Sequence, residues 1–315
     1  MMPNAVYRRE MEAFEDYLRS RFPRKNKFSD EVAKAIFASG GKRLRPAFTI
    51  MFALTGGNYN RERAFATAAA IEMLHTATLV HDDIIDSADV RRGVPTVNAE
   101  YGTHMAVYTG DYLLLKAMHE LIQLDEYDSV KVRRVVRTLT EICVGEIDQY
   151  FSRQDIGTLL GYFRRIRRKT AVLFAAACAL GAYDAGYTEK GINRAFRFGL
   201  DFGMAFQIRD DIKNFIANPA DDGKPVLNDL KDGIVTLPVL LAAGRSPGFR
   251  QKLKTYFRRP GELKSLFGEV IRHGGIEKSE KVMRRYAQRA QEGLAYFRND
   301  MLAEGMGKIM TVLYA

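Results

Sequence analysis

Residues 81–86 read His81-Asp82-Asp83-Ile84-Ile85-Asp86, and the acidic run continues to Asp89. It closes a long apolar stretch whose periodicity predicts one helix over 61–88. On that helix Asp82, Asp86 and Asp89 are spaced i, i+4, i+7 and share a face. Gln207-Ile208-Arg209-Asp210-Asp211-Ile212-Lys213-Asn214 echoes the pattern far downstream, with Asp210 and Asn214 one turn apart. Two acidic helix faces set in apolar stretches repel each other unless a cation sits between them. Clustered carboxylate oxygens suit Mg²⁺, which keeps some waters and completes its shell with substrate phosphates. Diphosphate chemistry is therefore the first expectation.

Helical periodicity dominates the rest of the chain, and no run of alternating β-branched residues bounded by hairpin turns is present. Helices are predicted over 5–22, 29–39, 45–56, 103–123, 127–153, 156–182, 188–217, 236–244, 260–274, 276–298 and 300–313, between breaks rich in glycine and proline. The reading is a single all-α domain over 1–315, with long central helices and more of them than a four-helix bundle. A hydrophobic content of 47% with 27% charged residues supports a sizeable core and argues against global disorder.

Cys143 and Cys178 both lie in apolar helical stretches, so buried free thiols are expected rather than a disulfide or metal site. That fits a reducing cytoplasm. Residues 1–10 lack the apolar core of a signal peptide, and the most apolar run, 171–182, is too short to span a bilayer. The net charge of +10 points to anionic partners. Zinc-finger spacing and RNA-binding aromatic signatures are absent, so nucleic acid is not expected. Most of the basic excess, including Arg164-Arg165 and Arg167-Arg168, reads as a solvated face.

Several basic groups stand apart from that face. Arg91-Arg92-Gly93 follows the first acidic run, and guanidinium forks match phosphate oxygens in bidentate fashion. The alternative is a basic cap on the helix C-terminus. In Gly40-Gly41-Lys42-Arg43-Leu44-Arg45-Pro46, Lys42 and Arg45 share one side of a turn entering a helix, either a phosphate-binding loop or a plain interhelix turn. His75, seven residues before Asp82, lies on the acidic face. Lys169-Thr170 opens a small-residue apolar helix, and Lys224 lies in the polar loop after the second acidic motif. This is more basic charge than one phosphate needs, and it suggests two diphosphates side by side.

The order of these motifs, joined by Gly110-Asp111-Tyr112-Leu113-Leu114, Gly145-Glu146 with Gln149, Phe206-Gln207 and Asp229-Leu230 through Thr236-Leu237-Pro238, resembles the trans-isoprenyl diphosphate synthases. This is the polyprenyl synthetase family, and the likeness, to a medium- or long-chain type, runs from about residue 25 to 300. The resemblance implies an isoprenoid synthase-type bundle of long antiparallel helices around a deep central cavity, usually homodimeric. It implies head-to-tail 1′-4 condensation of isopentenyl diphosphate onto an allylic diphosphate. It further implies about three Mg²⁺ ions per active site, held through Asp82, Asp86 and Asp210, with Asp83 and Asp211 beside them. Arg91, Lys169, Thr170, Gln207 and Lys224 would support the allylic diphosphate, and Lys42, Arg45, His75 and Arg92 the isopentenyl diphosphate. No His or Glu general base is expected, since the released diphosphate is thought to remove the proton. Contact with a membrane surface for product release is a further expectation.

Two positions depart from the family pattern. Asn214 stands where a third aspartate is usual, and Ile234 where a lysine is usual. These keep open a catalytic subunit that needs a partner chain. A class I terpene cyclase shares the first acidic motif, but Asp211 to Pro219 lacks its second metal pattern. Short-chain members plug the product tunnel four or five residues before the first aspartate; here Thr78 and Ala77 are small. One turn deeper stand Met73 and Leu74. An isoprene unit, ~5 Å, matches one helix turn, so the expected product exceeds C20 and falls at about C30 to C40.

Overall fold

The computed structural model describes residues 5–22, 32–33, 37, 42–123, 129–216, 228–259, 261 and 263–314. The helices are α1 (Ala5–Ser20), α2 (Leu44–Leu54), α3 (Arg61–Ile85), α4 (Val97–Tyr101), α5 (Thr103–Gln123), α6 (Ser129–Phe151) and α7 (Leu159–Ile166). A π-helical turn, Arg167–Ala171, leads into α8 (Val172–Asp184), followed by α9 (Glu189–Ile216), α10 (Asn228–Lys231), α11 (Leu237–Ala243), α12 (Pro247–Arg258), α13 (Leu263–Arg272), α14 (Gly275–Leu294) and α15 (Asp300–Met310). The fold is all-α. Among the described residues the one exception is an antiparallel hairpin, Val90–Arg91 with Val94–Pro95. The sequence reading did not anticipate it.

The chain divides into two compact units. The first comprises 1–136, 173–196 and 294–311, the second 137–172, 197–293 and 312–315. In the first unit α3 is the central helix. Its run from Ala64 to Leu74 is buried on every side, as the absence of any polar stripe there requires. Asn60 caps it by accepting the Arg63 amide at 3.0 Å. Helix α5 packs along α3 and comes so close at Gly110 that a Cβ there would lie 2.2 Å from the His81 ring. Helices α2 and α8 cross as tightly, with Gly181 against the Thr49 carbonyl and the Thr49 hydroxyl donating to Ala177 O at 3.2 Å.

The second unit is organised around the stacked rings of Phe198, Phe202 and Phe206 on α9. Its core continues through Tyr162, Leu237, Val239, Phe249 and Val270. Cys178 is a buried free thiol as expected, but Cys143 is exposed. It sits among the outward-facing Val144 and Ile147 of α6, an apolar stretch that the fold leaves uncovered. Among the described residues, no helix is long and apolar enough to cross a membrane.

Candidate active site

In the first unit α3 ends earlier than its periodicity suggests. Ser87 adopts the left-handed conformation (φ 48°), Ala88 N donates to Asp83 O at 2.9 Å and Ser87 N to Ile84 O at 3.2 Å. This is a Schellman termination with serine in the usual glycine place. Asp82 and Asp86 therefore remain one turn apart, half-exposed and exposed, while Asp89 leaves the helical face for the following turn. The neighbouring Asp83 points inward and pairs with Arg91, whose Nε lies 2.7 Å and whose Nη2 lies 2.6 Å from one carboxylate oxygen.

Arg91 belongs to the hairpin. Arg92 and Gly93 form its two-residue turn, both with positive φ (51° and 80°), the signature of a type I′ turn. The Arg-Arg-Gly motif is thus a β-turn that folds one guanidinium back on the acidic helix and exposes the other, not a helix cap.

His75 is half-buried on α3. Burial holds its imidazole well below the ordinary histidine pKa, and the positive charges of Arg45, Arg92, Arg91 and Arg43 push the same way. The ring stays neutral in an arginine-rich field, a setting suited to an anionic ligand. Lys42 is exposed at the entry to α2, and the Arg45 guanidinium lies 4.1 Å from the centre of the Phe174 ring. Gly40 and Gly41 fall outside the described residues. Arg43 pairs with Glu72 of α3 and Glu15 of α1, carboxylates the motif reading missed because they lie 29 and 28 residues away.

The second unit assembles the other acidic motif. Asp210 is half-exposed, with Arg209 Nη1 3.1 Å from its carboxylate. Lys169 and Thr170 lie on the π-helical turn, a local widening frequent at functional sites. Lys169 Nζ donates to Glu146 at 3.0 Å, and the Thr170 hydroxyl donates to Gln207 Oε1 at 2.6 Å. Gln207 Nε2 in turn donates to Asp211 at 2.9 Å, and Tyr162 OH donates to the other Asp211 oxygen at 2.7 Å. Asp211, expected beside the metal, is buried in this network. Asn214 donates its amide to Asp229, so the amide suits a position where a carboxylate would face another carboxylate. Lys224 lies outside the described residues.

Burial, with Asp229 nearby, raises the Asp211 pKa from 3.8 to about 7. A carboxyl whose pKa is raised on folding stabilises the native state fully below its unfolded pKa and loses that contribution as pH rises through the folded value. Metal-free protein should therefore lose stability between about pH 4 and pH 7, by on the order of a few kcal/mol at this site. Asp211→Asn should flatten that slope in urea titrations with EDTA. An unchanged slope would remove Asp211 as its source.

Among the described residues no three His, Cys, Asp or Glu side chains form a ready metal cage. Asp82 and Asp86 offer two hard oxygen ligands one turn apart, which fits Mg²⁺ when phosphates and water complete its shell.

An all-α chain with two acidic helix motifs, each accompanied by phosphate-matching cations, belongs to the prenyltransferase class. The sequence profile described as polyprenyl synthetase matches residues 26–272, and the chain belongs to that family of prenyl-condensing enzymes. It is 39% identical over 267 residues to heptaprenyl diphosphate synthase component 2 of Geobacillus stearothermophilus, covering 82% of this chain and 81% of the relative. The heptaprenyl diphosphate synthase of Staphylococcus aureus superposes with a TM-score of 0.91 at 28% identity, over 98% of this chain and 97% of the other. A polyprenyl synthase from Caulobacter crescentus CB15, solved with calcium and isoprenyl diphosphate, gives a TM-score of 0.90 at 28% identity, over 98% and 95%.

Proposed function

We propose that the protein catalyses Mg²⁺-dependent 1′-4 condensation of isopentenyl diphosphate with an allylic diphosphate, giving an all-trans polyprenyl diphosphate longer than C20, about C30 to C40. The observation that carries the substrate reading is the accessible pair Asp82 and Asp86 at the end of α3, with the Arg91 guanidinium folded back onto the neighbouring Asp83. The names of the Geobacillus and Staphylococcus relatives support a product in the proposed range.

Asp82, Asp86 and Asp210 would hold the metal, which when bound supplies positive charge against a diphosphate leaving group. Arg91, Lys169 and Gln207 steady the allylic diphosphate, with Thr170 fixing the Gln207 amide and Asp83 aiming Arg91. Lys42, Arg45, Arg92 and His75 hold isopentenyl diphosphate, the histidine as a neutral hydrogen-bonding group. As the allylic C1–O bond breaks, the isopentenyl double bond supplies the electron pair for the new C–C bond. The proton then lost goes to the released diphosphate.

Ala77 is fully buried and Thr78 half-buried on α3. Ala77→Phe is expected to shorten the product while the metal requirement persists, as read by reversed-phase chromatography of dephosphorylated products. An unshortened product would remove Ala77 as a length determinant.

A shorter, geranylgeranyl-length product is the second reading, and Leu74 favours it. The accessible α3 face that includes Asp82, Thr78 and His75 stops at Leu74, which is 0% exposed. Wild-type products, run beside those of Leu74→Ala, decide between the two lengths. A C20 wild-type product that lengthens on truncation would establish the shorter reading.

Self-association as a homodimer fits α5, whose Tyr108, Tyr112, Leu115 and Ile122 form one exposed stripe. Leu115→Asp should shift the species in sedimentation toward monomer. A name ending in component 2 for the Geobacillus relative supports the alternative of a partner chain. Activity of the purified single chain with Mg²⁺, isopentenyl diphosphate and farnesyl diphosphate separates these two.

A further inference from the structure

Arg43 stands between two residues assigned to isopentenyl diphosphate, yet its own environment is that of a structural cation. Its backbone is left-handed (φ 47°, ψ 37°) at the residue preceding α2, a conformation that costs a non-glycine residue roughly 1–2 kcal/mol. The side chain is 9% exposed. Its Nη1 lies 2.5 Å from Glu72 Oε1 and its Nε 3.0 Å from Glu15 Oε1. Glu72 is itself buried and lies three residues before His75 on α3, while Glu15 is on α1. One guanidinium thus ties the entry of α2 to two other helices.

The consequence falls on Lys42 and Arg45. The Arg43 carbonyl accepts the Ala47 amide at 2.9 Å and so starts α2. A change at Arg43 would therefore move Lys42, the residue before it, and Arg45, in the first turn after it, together. A phosphate contact depends on placing cations to within a fraction of an ångström, and flexible side chains at a loose helix entry lose that placement.

We infer that Arg43 is a positioning residue: clamped by Glu72 and Glu15, it fixes the left-handed turn that presents Lys42 and Arg45 to isopentenyl diphosphate. This rests on the assignment of those two residues under the proposed function.

The test is steady-state kinetics of the full chain with each substrate varied in turn. Arg43→Gln and Glu72→Gln should each raise KM for isopentenyl diphosphate about tenfold, the scale of losing one charge-assisted contact. KM for the allylic substrate should stay within about twofold, because Glu72 and Glu15, the carboxylates that hold Arg43, carry no role toward the allylic diphosphate. Arg43→Lys should recover part of the loss, since an ammonium reaches one carboxylate but lacks the guanidinium fork. The double variant Arg43→Gln/Glu72→Gln should be no worse than the poorer single one.

Glu72→Gln preserves shape, so it carries the test if Arg43→Gln does not fold. An unchanged isopentenyl KM in a folded variant, or an equal rise in both KM values, would overturn the inference. Lys42→Ala and Arg45→Ala in the same assay isolate the underlying assignment. If these leave the isopentenyl KM unchanged, the assignment falls and the positioning role falls with it.

Discussion

Asp82→Ala is expected to lower kcat by about 10²–10³-fold at saturating Mg²⁺, the scale seen when one group that stabilises transition-state charge is removed. The expectation follows from how the two members of the aspartate pair are used. Asp83 is occupied by Arg91 through two close contacts. Asp82 and Asp86 are the carboxylates of this helix left accessible on one face. Removing Asp82 leaves a single carboxylate there. The growing charge on the leaving diphosphate then loses part of the cation that offsets it.

Asp83→Asn should behave differently. It releases Arg91, so the main effect is expected on the KM for the allylic diphosphate, with a smaller fall in kcat. Turnover close to wild type for Asp82→Ala would remove the metal assignment. Similar kinetic profiles for both variants would show that the inward and outward carboxylates are not distinct.

Much of this was legible in the sequence, and the gaps have physical causes. Helix 103–123 matches its predicted bounds because Gly102 sets its start and its buried positions recur at helical spacing. Helix α3 was drawn three residues too long because its stop depends on Ser87 adopting a left-handed conformation, for which serine gives no signal. Helix α12 was missed since its only buried side chains are Phe249 and Leu253, too few to register a period in so charged a segment. The hairpin at 90–95 escaped notice because Arg92 holds the turn position that Asn, Asp or Gly usually marks.

The motif residues themselves could be named from spacing along single helices. Their partners could not, for a different reason. Glu72 for Arg43 and Tyr162 for Asp211 are chosen by how helices pack, over separations of 29 and 49 residues. Local periodicity carries no information at that range. The sequence reading set Asp83 and Asp211 beside the metal, next to Asp82 and Asp210. Helix rotation separates each pair by about 100°, and packing sends one member inward.

The second large effect expected is on stability, at a site no motif marks. Lys131 of α6 and Asp184 at the end of α8 form an ion pair within the first unit, at 4% and 1% side-chain exposure. The Thr67 hydroxyl of α3 donates to the second Asp184 oxygen at 2.6 Å. Three helices therefore meet at one buried charge pair. Desolvation makes such a pair a weak net stabiliser, but removing one partner strands the other charge in an apolar interior.

Lys131→Met should cost about 3–5 kcal/mol of unfolding free energy, a large share of the ~5–15 kcal/mol typical of a domain. Asp184→Leu should cost a similar amount for the opposite charge. The double variant should be less destabilised than either single one, because neither charge is then left unpaired and two apolar side chains fill the space. Urea unfolding of the four proteins measures the cycle. Additive losses in the double variant would mean that each residue stabilises through separate contacts. A double variant that also retains product length would separate the pair's structural role from that of Ala77 and Leu74, which lie on the same helix as Thr67.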